Sequence, residues 1–311
     1  MRAILFLVPC ALLMLFSLSG EATATQDTLS RKTHVSVGVF VQQIDAIDTR
    51  SQSMECEIYL YLTWKGVHSP VGYEFVNGKN IEKIFEVTET EESGRNILSA
   101  KIRGTFMSSL DLSDYPTDKH VLRIELGDFN WPEDSLTYTV DTLDMGLSTD
   151  VALGEWRVSS IGPSLGKRYF APNAHFCSHF EYALLIERES APFVVKILIP
   201  LIIVVAMSML TFYVPAAQLD PQVAIGTTSL LTIVAFHFLI RNQLPEVGYL
   251  TRADILIIGS YLMIFLSLVE SVLVYTLSRK GHKKYPQQID RLCRVIFPSS
   301  YAILVCVLWF A

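Results

Sequence analysis

The hydrophobic pattern of the chain changes near residue 190. Before this point, apolar and polar residues alternate over short stretches, as in residues 57–64, where the even positions are Ile58, Leu60, Leu62 and Trp64. Successive side chains of a strand point to opposite faces, so this stretch predicts a strand with one buried face. The same pattern predicts strands at Val35–Val41, Ile97–Thr105, Val121–Leu126, Leu136–Val140, Trp156–Ser160 and Phe180–Glu187. About seven short strands separated by turns predict a β-sandwich over residues 25–190.

Four long apolar segments occupy the rest of the chain: Ile197–Ala217, Pro221–Ile240, Ile255–Leu277 and Val295–Ala311. A helix of about 20 apolar residues is long enough to cross a bilayer. We therefore expect a transmembrane domain over residues 191–311, with helices at about 192–215, 220–242, 253–278 and 289–311. The predicted fold class is a β plus α membrane protein, an N-terminal sandwich followed by four transmembrane helices.

The N-terminus and the loop charges predict the orientation in the membrane. Residues 1–24 contain a positive start, an uncharged apolar stretch and small residues before the expected cleavage point, as in a secretory signal peptide; an uncleaved anchor is the alternative. Basic residues concentrate between the third and fourth apolar segments, at Arg279, Lys280, Lys283, Lys284, Arg291 and Arg294. The positive-inside rule then puts the sandwich outside the cytoplasm.

Composition narrows the functional classes. Half of the 311 residues (50%) are hydrophobic and the net charge is −6, so the chain lacks the basic stripe expected of a nucleic-acid-binding protein. Cys56 and Cys177 form the one exported cysteine pair, and their spacing leaves open whether they meet. Nothing in the sequence indicates a cofactor.

The second apolar segment is polar along one side. In a helix with 3.6 residues per turn, six residues spaced by three or four fall on one face: Asp220, Ala224, Thr228, Leu231, Ala235 and Phe238. Several copies of such a helix around an axis would line a water-filled pore. The alternative is that Thr227, Thr228, Ser229 and Thr232 hydrogen-bond to neighbouring helices.

Several motifs resemble those of the pentameric ligand-gated ion channels, in matching order along the mature chain. Leu112–Asp118 contains Tyr115-Pro116-Thr117-Asp118 and is similar to the signature loop of that family, with its aromatic–Pro–x–Asp core. Further similar elements are Arg188 twelve residues before Pro200, Leu244-Pro245 with Tyr249 and Thr251, and Ile289-Asp290-Arg291 with Arg294 and Phe297-Pro298.

The departures from the animal pattern point to the bacterial members of this family. Ser108 and Leu122 stand where animal receptors have the two cysteines of the signature loop, and only about 17 residues join the third and fourth helices. The resemblance implies a non-enzymatic homopentamer in the bacterial inner membrane, with its N-terminal domain in the periplasm. Its partners would be the lipid bilayer, permeant monovalent cations, and a small-molecule agonist or protons.

The resemblance also assigns roles along the ion path and at the junction of the two domains. Five copies of Asp220 would favour cations at the cytoplasmic mouth, although a helix cap before Pro221 is an alternative role. Leu231 and Phe238 would form apolar rings that close by dewetting. Residues expected to transmit gating are Asp48 (or Thr49 in its place), Tyr115, Pro116, Asp118, Arg188, Pro245 and Tyr249. A static surface ion pair is the alternative for the charged members.

The resemblance is weakest at the ligand site. The expected aromatic residues are Phe129, Trp131, Tyr169, Phe170 and Phe176, with Tyr59 from a neighbouring subunit. Aromatic faces around a gap can hold a cationic amine, although aromatic residues also serve as simple packing. The family's Trp-x-Pro is missing between Trp64 and Asn77, so the first ligand-contacting loop differs.

Titratable residues suggest two more sites. His175, Cys177 and His179 alternate, so an extended strand would point all three the same way, as a Zn²⁺ site requires; an unrelated set in a flexible loop is the alternative. Glu270 lies within the third apolar segment, and His237 lies beside the polar stripe; both are proton-sensing candidates. Glu270 could instead bond to a neighbouring hydroxyl.

One motif favours a different class of protein. Gly162-Pro163-Ser164-Leu165-Gly166 matches the G-x-S-x-G nucleophile elbow, which requires a strand–turn–helix in an α/β fold. It lies between predicted strands, so we interpret it as a chance match. A membrane-anchored periplasmic sensor or hydrolase is the rival function, and it leaves the polar stripe unexplained.

Overall fold

The computed structural model of the protein describes residues 32–149, 153–240, 247–280 and 284–310. The expected signal peptide and Pro245 lie outside the described residues. Ten strands precede four long helices, which confirms the predicted fold class. The strands are β1 (Thr33–Asp48), β2 (Ser53–Trp64), β3 (Tyr73–Phe75), β4 (Gly78–Thr90), β5 (Asn96–Met107), β6 (Lys119–Asp128), β7 (Leu136–Val140), β8 (Gly146–Leu147), β9 (Trp156–Phe170) and β10 (His175–Arg188).

Two sheets pack face to face in the N-terminal domain. One has the strand order β4-β5-β2-β1-β7, with β8 also paired to β1, and the other has the order β3-β6-β10-β9. All neighbours are antiparallel except β1 with β7 and β1 with β8. Every strand predicted from alternation lies within an observed strand, whereas β3, β4 and β8 were missed.

The core lies between the two sheets and follows the alternation in the sequence. Ile58, Leu60 and Leu62 of β2 are fully buried, while Tyr59 and Tyr61 on the opposite face are half-buried and stack at a centroid distance of 6.4 Å. Because each face carries one class of residue, a shift of one residue in register would expose the whole apolar set. The residues of β4 are mostly exposed, which explains why its strand was not apparent from alternation.

The four helical segments are α1 (Ala191–Tyr213), α2 (Leu219–Ile240), α3 (Arg252–Arg279) and α4 (Lys284–Phe310). Each is long and apolar enough to cross a membrane. A π-helical turn over Val194–Leu198 lies directly before Pro200, where the missing amide hydrogen disrupts the regular helical ladder. A capping box between Thr251 and Asp254 starts α3.

The helices pack around a second apolar core, to which all four contribute. α4 packs mainly against α3 and α1. Arg294 of α4 makes two contacts with the end of α1. It donates a hydrogen bond to the carbonyl oxygen of Phe212 at 3.0 Å, and its guanidinium lies 4.6 Å from the centroid of the Tyr213 ring. α2 is therefore the helix that lies farthest from α4 in the packing.

Candidate functional site

The six stripe residues of α2 all lie on its exposed side. Asp220, Ala224, Thr228 and Ala235 are exposed, and Leu231 and Phe238 each keep 70% of their surface open. The opposite side of the helix is buried against the rest of the bundle, through Gln222, Gly226, Ser229, Ile233 and Ile240. At 100° per residue the two sets lie about 180° apart. Two large apolar side chains thus face outward from a helix whose other side is fully packed.

Two hydroxyl groups of α2 do not bond to neighbouring helices, although the alternative interpretation of the stripe predicts that they do. Thr227 and Thr232 donate to carbonyl oxygens of their own helix, those of Val223 and Thr228, both at 2.7 Å. These two bonds are therefore not links to other helices. The helix begins at Leu219, so Asp220 lies inside its first turn and the predicted cap at this residue is wrong. A carboxylate in the first turn still interacts favourably with the helix dipole.

An ion pair joins the signature loop to the last strand. Arg188 donates from Nε to Asp118 Oδ1 at 2.7 Å and from Nη2 to Asp118 Oδ2 at 3.1 Å. Asp118 is only 1% exposed, and His120 Nε2 lies 2.7 Å from its Oδ2. Burial raises the pKa of Asp118, but the hydrogen bonds to His120 and Arg188 outweigh it and hold the pKa below its ordinary value. The pair is buried, so the interpretation as a static surface ion pair is wrong.

Aromatic rings and a second acid complete this cluster. The Arg188 guanidinium lies 4.0 Å from the centroid of Trp156 and 4.9 Å from that of Tyr115. The second carboxylate near Arg188 is Glu155, at 3.6 Å, whereas Asp48 hydrogen-bonds within its own turn to Arg50 and Ser51. Asp48 was expected to meet Arg188 together with Asp118, and this is wrong in the structure, because the turn of Asp48 already satisfies its carboxylate.

The signature loop also contacts the helical domain directly. The Tyr115 ring meets Phe193 of α1 edge-on at 5.7 Å. The Tyr249 hydroxyl accepts the amide hydrogen of Leu112 at 2.8 Å, and the Arg252 amide donates to the Ser113 carbonyl at 3.0 Å. The loop therefore touches both the first helix and the segment before α3. Pro116, which follows Tyr115 through a cis peptide bond, lies in the same loop.

Four of the expected ligand-site aromatics form two pairs around the β9–β10 hairpin. Phe129 stacks on Phe170 at 4.4 Å, and Tyr169 contacts Phe176 at 5.3 Å. Trp131 does not join them: its ring lies 4.4 Å from His68 and its indole N–H donates to the carbonyl of Ser69. Tyr59 belongs to the other sheet, where it stacks on Tyr61.

A buried acid next to this aromatic cluster was missed by the sequence analysis. Asp128, which directly precedes Phe129, is 1% exposed and its Oδ2 has no hydrogen-bond partner among the described residues. Burial raises the pKa of Asp128, although the amide of Asn130 donates to its other oxygen. The sequence signal for such a site is an acid at a position where the alternation of β6 predicts burial.

The proposed metal site does not assemble. No group of three His, Cys, Asp or Glu side chains in the part of the chain that the structure describes is arranged to hold a metal ion. Cys177 is fully buried, while His175 bonds to the carbonyl of Asn173 and His179 lies 3.5 Å from Glu125. The three residues alternate in β10, but their side chains turn to different partners, so the metal prediction is wrong. Cys56 and Cys177 are both free thiols.

The two proton-sensing candidates lie between helices. His237 Nδ1 is 3.2 Å from the hydroxyl of Tyr261 on α3. Glu270 is 8% exposed and neighbours Asp290 and Cys293 of α4. The alternative that Glu270 bonds to a neighbouring hydroxyl finds no support, because its side-chain partners among the described residues are the Asp290 carboxyl and the Cys293 thiol.

The nucleophile-elbow match lies in a continuous strand. Residues 162–166 belong to β9 and pair with β10 over their length, so no strand–turn–helix is present at Ser164. The geometry that a G-x-S-x-G nucleophile requires is missing at this motif. The hydrolase interpretation therefore loses its one sequence feature.

Comparison with known proteins shows similarity to ion channels and receptor subunits. Residues 197–287 match the neurotransmitter-gated ion-channel transmembrane region family. A proton-gated ion channel of Gloeobacter violaceus is 22% identical over 298 residues, covering 89% of this chain and 82% of its own length. The human gamma-aminobutyric acid receptor subunit rho-3 is also 22% identical, over 84% of this chain. The mouse subunit alpha-2 is 25% identical over 67% of this chain.

The chain spans 62% of the length of the rho-3 subunit and 48% of the length of the alpha-2 subunit. These similarities fit the architecture, in which a β-sandwich precedes four apolar helices. The relatives are ion channels and not enzymes. The chain is a multi-pass membrane protein whose sequence and architecture are similar to those of the Cys-loop superfamily of pentameric channels.

Proposed function

We propose that the protein is a homopentameric, cation-selective channel of a bacterial inner membrane, gated through its N-terminal domain in the periplasm. The observation that carries this proposal is the exposed stripe of α2. Leu231 and Phe238 are large apolar side chains left 70% open on a helix whose opposite face is fully packed. Five copies around an axis would bury this stripe around a pore, since a helix that meets only lipid needs no Asp220 or Thr228.

The residues of the stripe change along α2 from charged to small to large and apolar, and this order suits cation conduction. Asp220 would form a ring of five carboxylates at one mouth, which attracts cations and repels anions. Ala224 and Thr228 would leave space for water in the next two turns. Leu231 and Phe238 would form apolar rings that exclude water when narrow, so the gate would lie at these two levels.

Gating would pass through the contacts between the sandwich and the helices. A shift of the signature loop would move Phe193 through Tyr115 and the start of α3 through Leu112 and Tyr249. Pro245 and the neighbouring undescribed residues would belong to the same connection. The buried Asp118–Arg188 pair would keep the loop and β10 moving as one body, because separation would strand a charge.

Two stimuli are candidates for opening the channel. A cationic small molecule would bind at the aromatic pairs Phe129–Phe170 and Tyr169–Phe176, with Tyr59 of a neighbouring subunit completing the site. Protons are the second candidate, because the buried Asp128 carboxylate lies next to this cluster without a partner for Oδ2. Glu270 and His237 are further proton-sensing candidates. The relative from Gloeobacter violaceus is described as proton-gated, so protons are the first stimulus to test.

The gate is tested by current through channels expressed in oocytes, during steps of external pH and then during application of amines. We expect Leu231→Ala to raise the current several-fold at rest or at low stimulus, because it removes an apolar ring. Leu239→Ala is the matched control, since Leu239 is 76% exposed on the same helix but lies about 80° around from Leu231. Equal effects of both substitutions, or silence of Leu231→Ala at confirmed surface expression, would overturn the pore assignment.

Selectivity is tested by the reversal potential in salt gradients. We expect Asp220→Asn to reduce the preference for cations and Asp220→Lys to reduce it further or reverse it, because the sign of the ring changes. Thr232→Ala is the control, because Thr232 lies about 120° around the helix from Asp220 and bonds to its own helix. An unchanged reversal potential with Asp220→Lys would rule out this ring as the selectivity element.

A further inference from the structure

A groove between α3 and α4 has an apolar wall and one buried acid. Its volume is about 430 Å³, and it is lined by apolar side chains that include Val269 and Leu273 of α3 and Phe297 of α4. Glu270 lies in this wall, and Lys280 lies at one end. The groove is large enough for a small amphiphile with a short hydrocarbon body.

Glu270 is a buried acid with one oxygen that lacks a hydrogen-bond partner among the described residues. The side chain is 8% exposed, and its Oε1 has no hydrogen-bond partner among the described residues. A carboxyl group buried in apolar surroundings is stable only when a donor or a cation faces it. Because Glu270 lines the groove, a ligand in the groove is a candidate partner for this oxygen.

The neighbouring groups hydrogen-bond to Glu270 through Asp290 and Cys293 but leave Oε1 without a partner among the described residues. The polar groups beside Glu270 on α4 are Asp290, a second acid, and Cys293, a weak donor. Arg294 neighbours Asp290, but its guanidinium is engaged with the Phe212 carbonyl and the Tyr213 ring. Lys280 is ten residues from Glu270, about 15 Å along the helix axis. Within the described part of the chain, the groove thus presents acceptors and an apolar wall but no free cation at its acidic end.

We propose that this groove binds an amphiphilic amine, with the ammonium group at Glu270 and the hydrocarbon body along Val269, Leu273 and Phe297. The ammonium group donates to Glu270 Oε1 and places a positive charge beside the two acids, Glu270 and Asp290. The apolar body removes hydrocarbon surface from water as it enters. A neutral alcohol of the same length also buries its hydrocarbon body but cannot pair a positive charge with Glu270. The amine should therefore bind more tightly than the alcohol.

The groove is separate from the proposed pore. α4 packs mainly against α3 and α1, so the groove does not lie along the exposed stripe of α2. The proposal therefore goes beyond the proposed function and does not rest on it. A readout other than current is needed, since an amine could also block a cation-selective pore.

The test measures the thermal stability of the purified, detergent-solubilised channel with n-octylamine, n-octanol or no addition. We expect octylamine at saturation to raise Tm by at least about 2 °C more than octanol, because only the amine pairs with the carboxylate. Glu270→Gln should abolish this difference and keep the Tm of the protein without ligand. Val269→Trp should abolish the effect of both compounds by filling the groove.

Val295→Trp is the matched control, since Val295 is 65% exposed on α4 and does not line the groove. It should retain the full difference between amine and alcohol. Equal shifts with octylamine and octanol in the wild-type protein would overturn the proposal. So would a difference that survives both Glu270→Gln and Val269→Trp, since the amine would then bind elsewhere.

Discussion

Two buried carboxyl groups, Asp118 below the sandwich and Glu270 between α3 and α4, have opposite surroundings. Asp118 receives two hydrogen bonds from Arg188 and one contact from His120, and its neighbours include a positive charge. Glu270 is nearly as buried, but it faces the second acid Asp290 and keeps one oxygen without a partner. The first group is satisfied inside one subunit, whereas the second is not.

The difference indicates which acid stabilises the fold and which is available for function. A buried ion pair with a two-pronged arginine is costly to break, because the remaining partner is stranded without water. A buried acid without a partner contributes little to stability and is free to bind a proton or a ligand. Burial alone does not distinguish the two groups; their partners do.

The largest effect is expected at the junction. Asp118→Ala leaves Arg188 buried, with 9% of its side chain exposed, and without its main acceptor. We expect a loss of about 3–5 kcal/mol of stability, seen as a large drop in Tm and in surface expression. Asp114→Asn is the control, because Asp114 also pairs with an arginine, Arg252, but is 60% exposed, so its loss should cost at most about 1 kcal/mol.

A double substitution tests whether the loss of stability comes from leaving Arg188 without its acceptor. Asp118→Ala combined with Arg188→Met removes both charges, so no arginine is stranded, while the lost contact with His120 is common to both variants. The double variant should be more stable than Asp118→Ala alone. Additive losses in this double-mutant cycle would show that the pair is not the source of the effect.

A smaller effect, dependent on pH, is expected at Asp128. Burial raises the pKa of this carboxyl above its ordinary value of 3.8, so the folded state holds its proton at a higher pH than the unfolded chain does. The folded protein therefore loses stability as pH rises from 3.8 through the raised pKa, and acidification restores it.

Asp128→Asn should accordingly raise stability at neutral pH by about 1 kcal/mol and make no difference at acid pH, where both side chains are neutral. Thermal unfolding of both proteins across this pH range measures the difference. Asp118 supplies the contrast: its pKa is lowered, so its stabilising contribution persists at neutral pH and is lost only as pH falls below its ordinary range. A constant gap between Asp128→Asn and the wild type at all pH values would contradict the prediction.

The smallest effect on stability is expected at Glu270. Glu270→Gln keeps the size of the side chain and removes an acid that faces another acid, while its amide can still hydrogen-bond to Asp290 and Cys293. We expect a change in Tm within about 1 °C of the wild type, or a slight increase. The same thermal assay used for Asp118→Ala measures it. A loss as large as that of Asp118→Ala would mean that Glu270 is a fully partnered structural group.

Local periodicity made much of the architecture predictable. The alternation in β2 predicted which of its side chains enter the core, and the length of four apolar segments predicted the spanning helices. The exposed stripe of α2 was predicted by spacing alone, because neighbours on one helical face are fixed by 3.6 residues per turn. β4 was missed because its residues are exposed on both faces and carry no alternation.

Contacts between distant elements were harder to predict. Glu155 stands beside Arg188 where Asp48 was expected, and Trp131 turns towards His68 and not towards Phe129. His120 could have been recognised, since it follows Asp118 by two residues and shares its face of the strand. His175, Cys177 and His179 do alternate in a strand, as predicted. Their side chains do not come together to hold a metal ion.

The sequence by itself determined the order of sandwich and helices, the faces of the strands and the polar stripe of α2, because these depend on covalent spacing and on burial of apolar surface. Only the tertiary structure decided that Asp118 is fully paired while Glu270 meets a second acid beside an open groove. Asp118 meets its partner through the pairing of β6 with β10, and Glu270 meets Asp290 through the packing of α3 on α4. Strand pairing and helix packing join residues that are far apart in the chain. Local sequence patterns do not show which of these distant residues will meet.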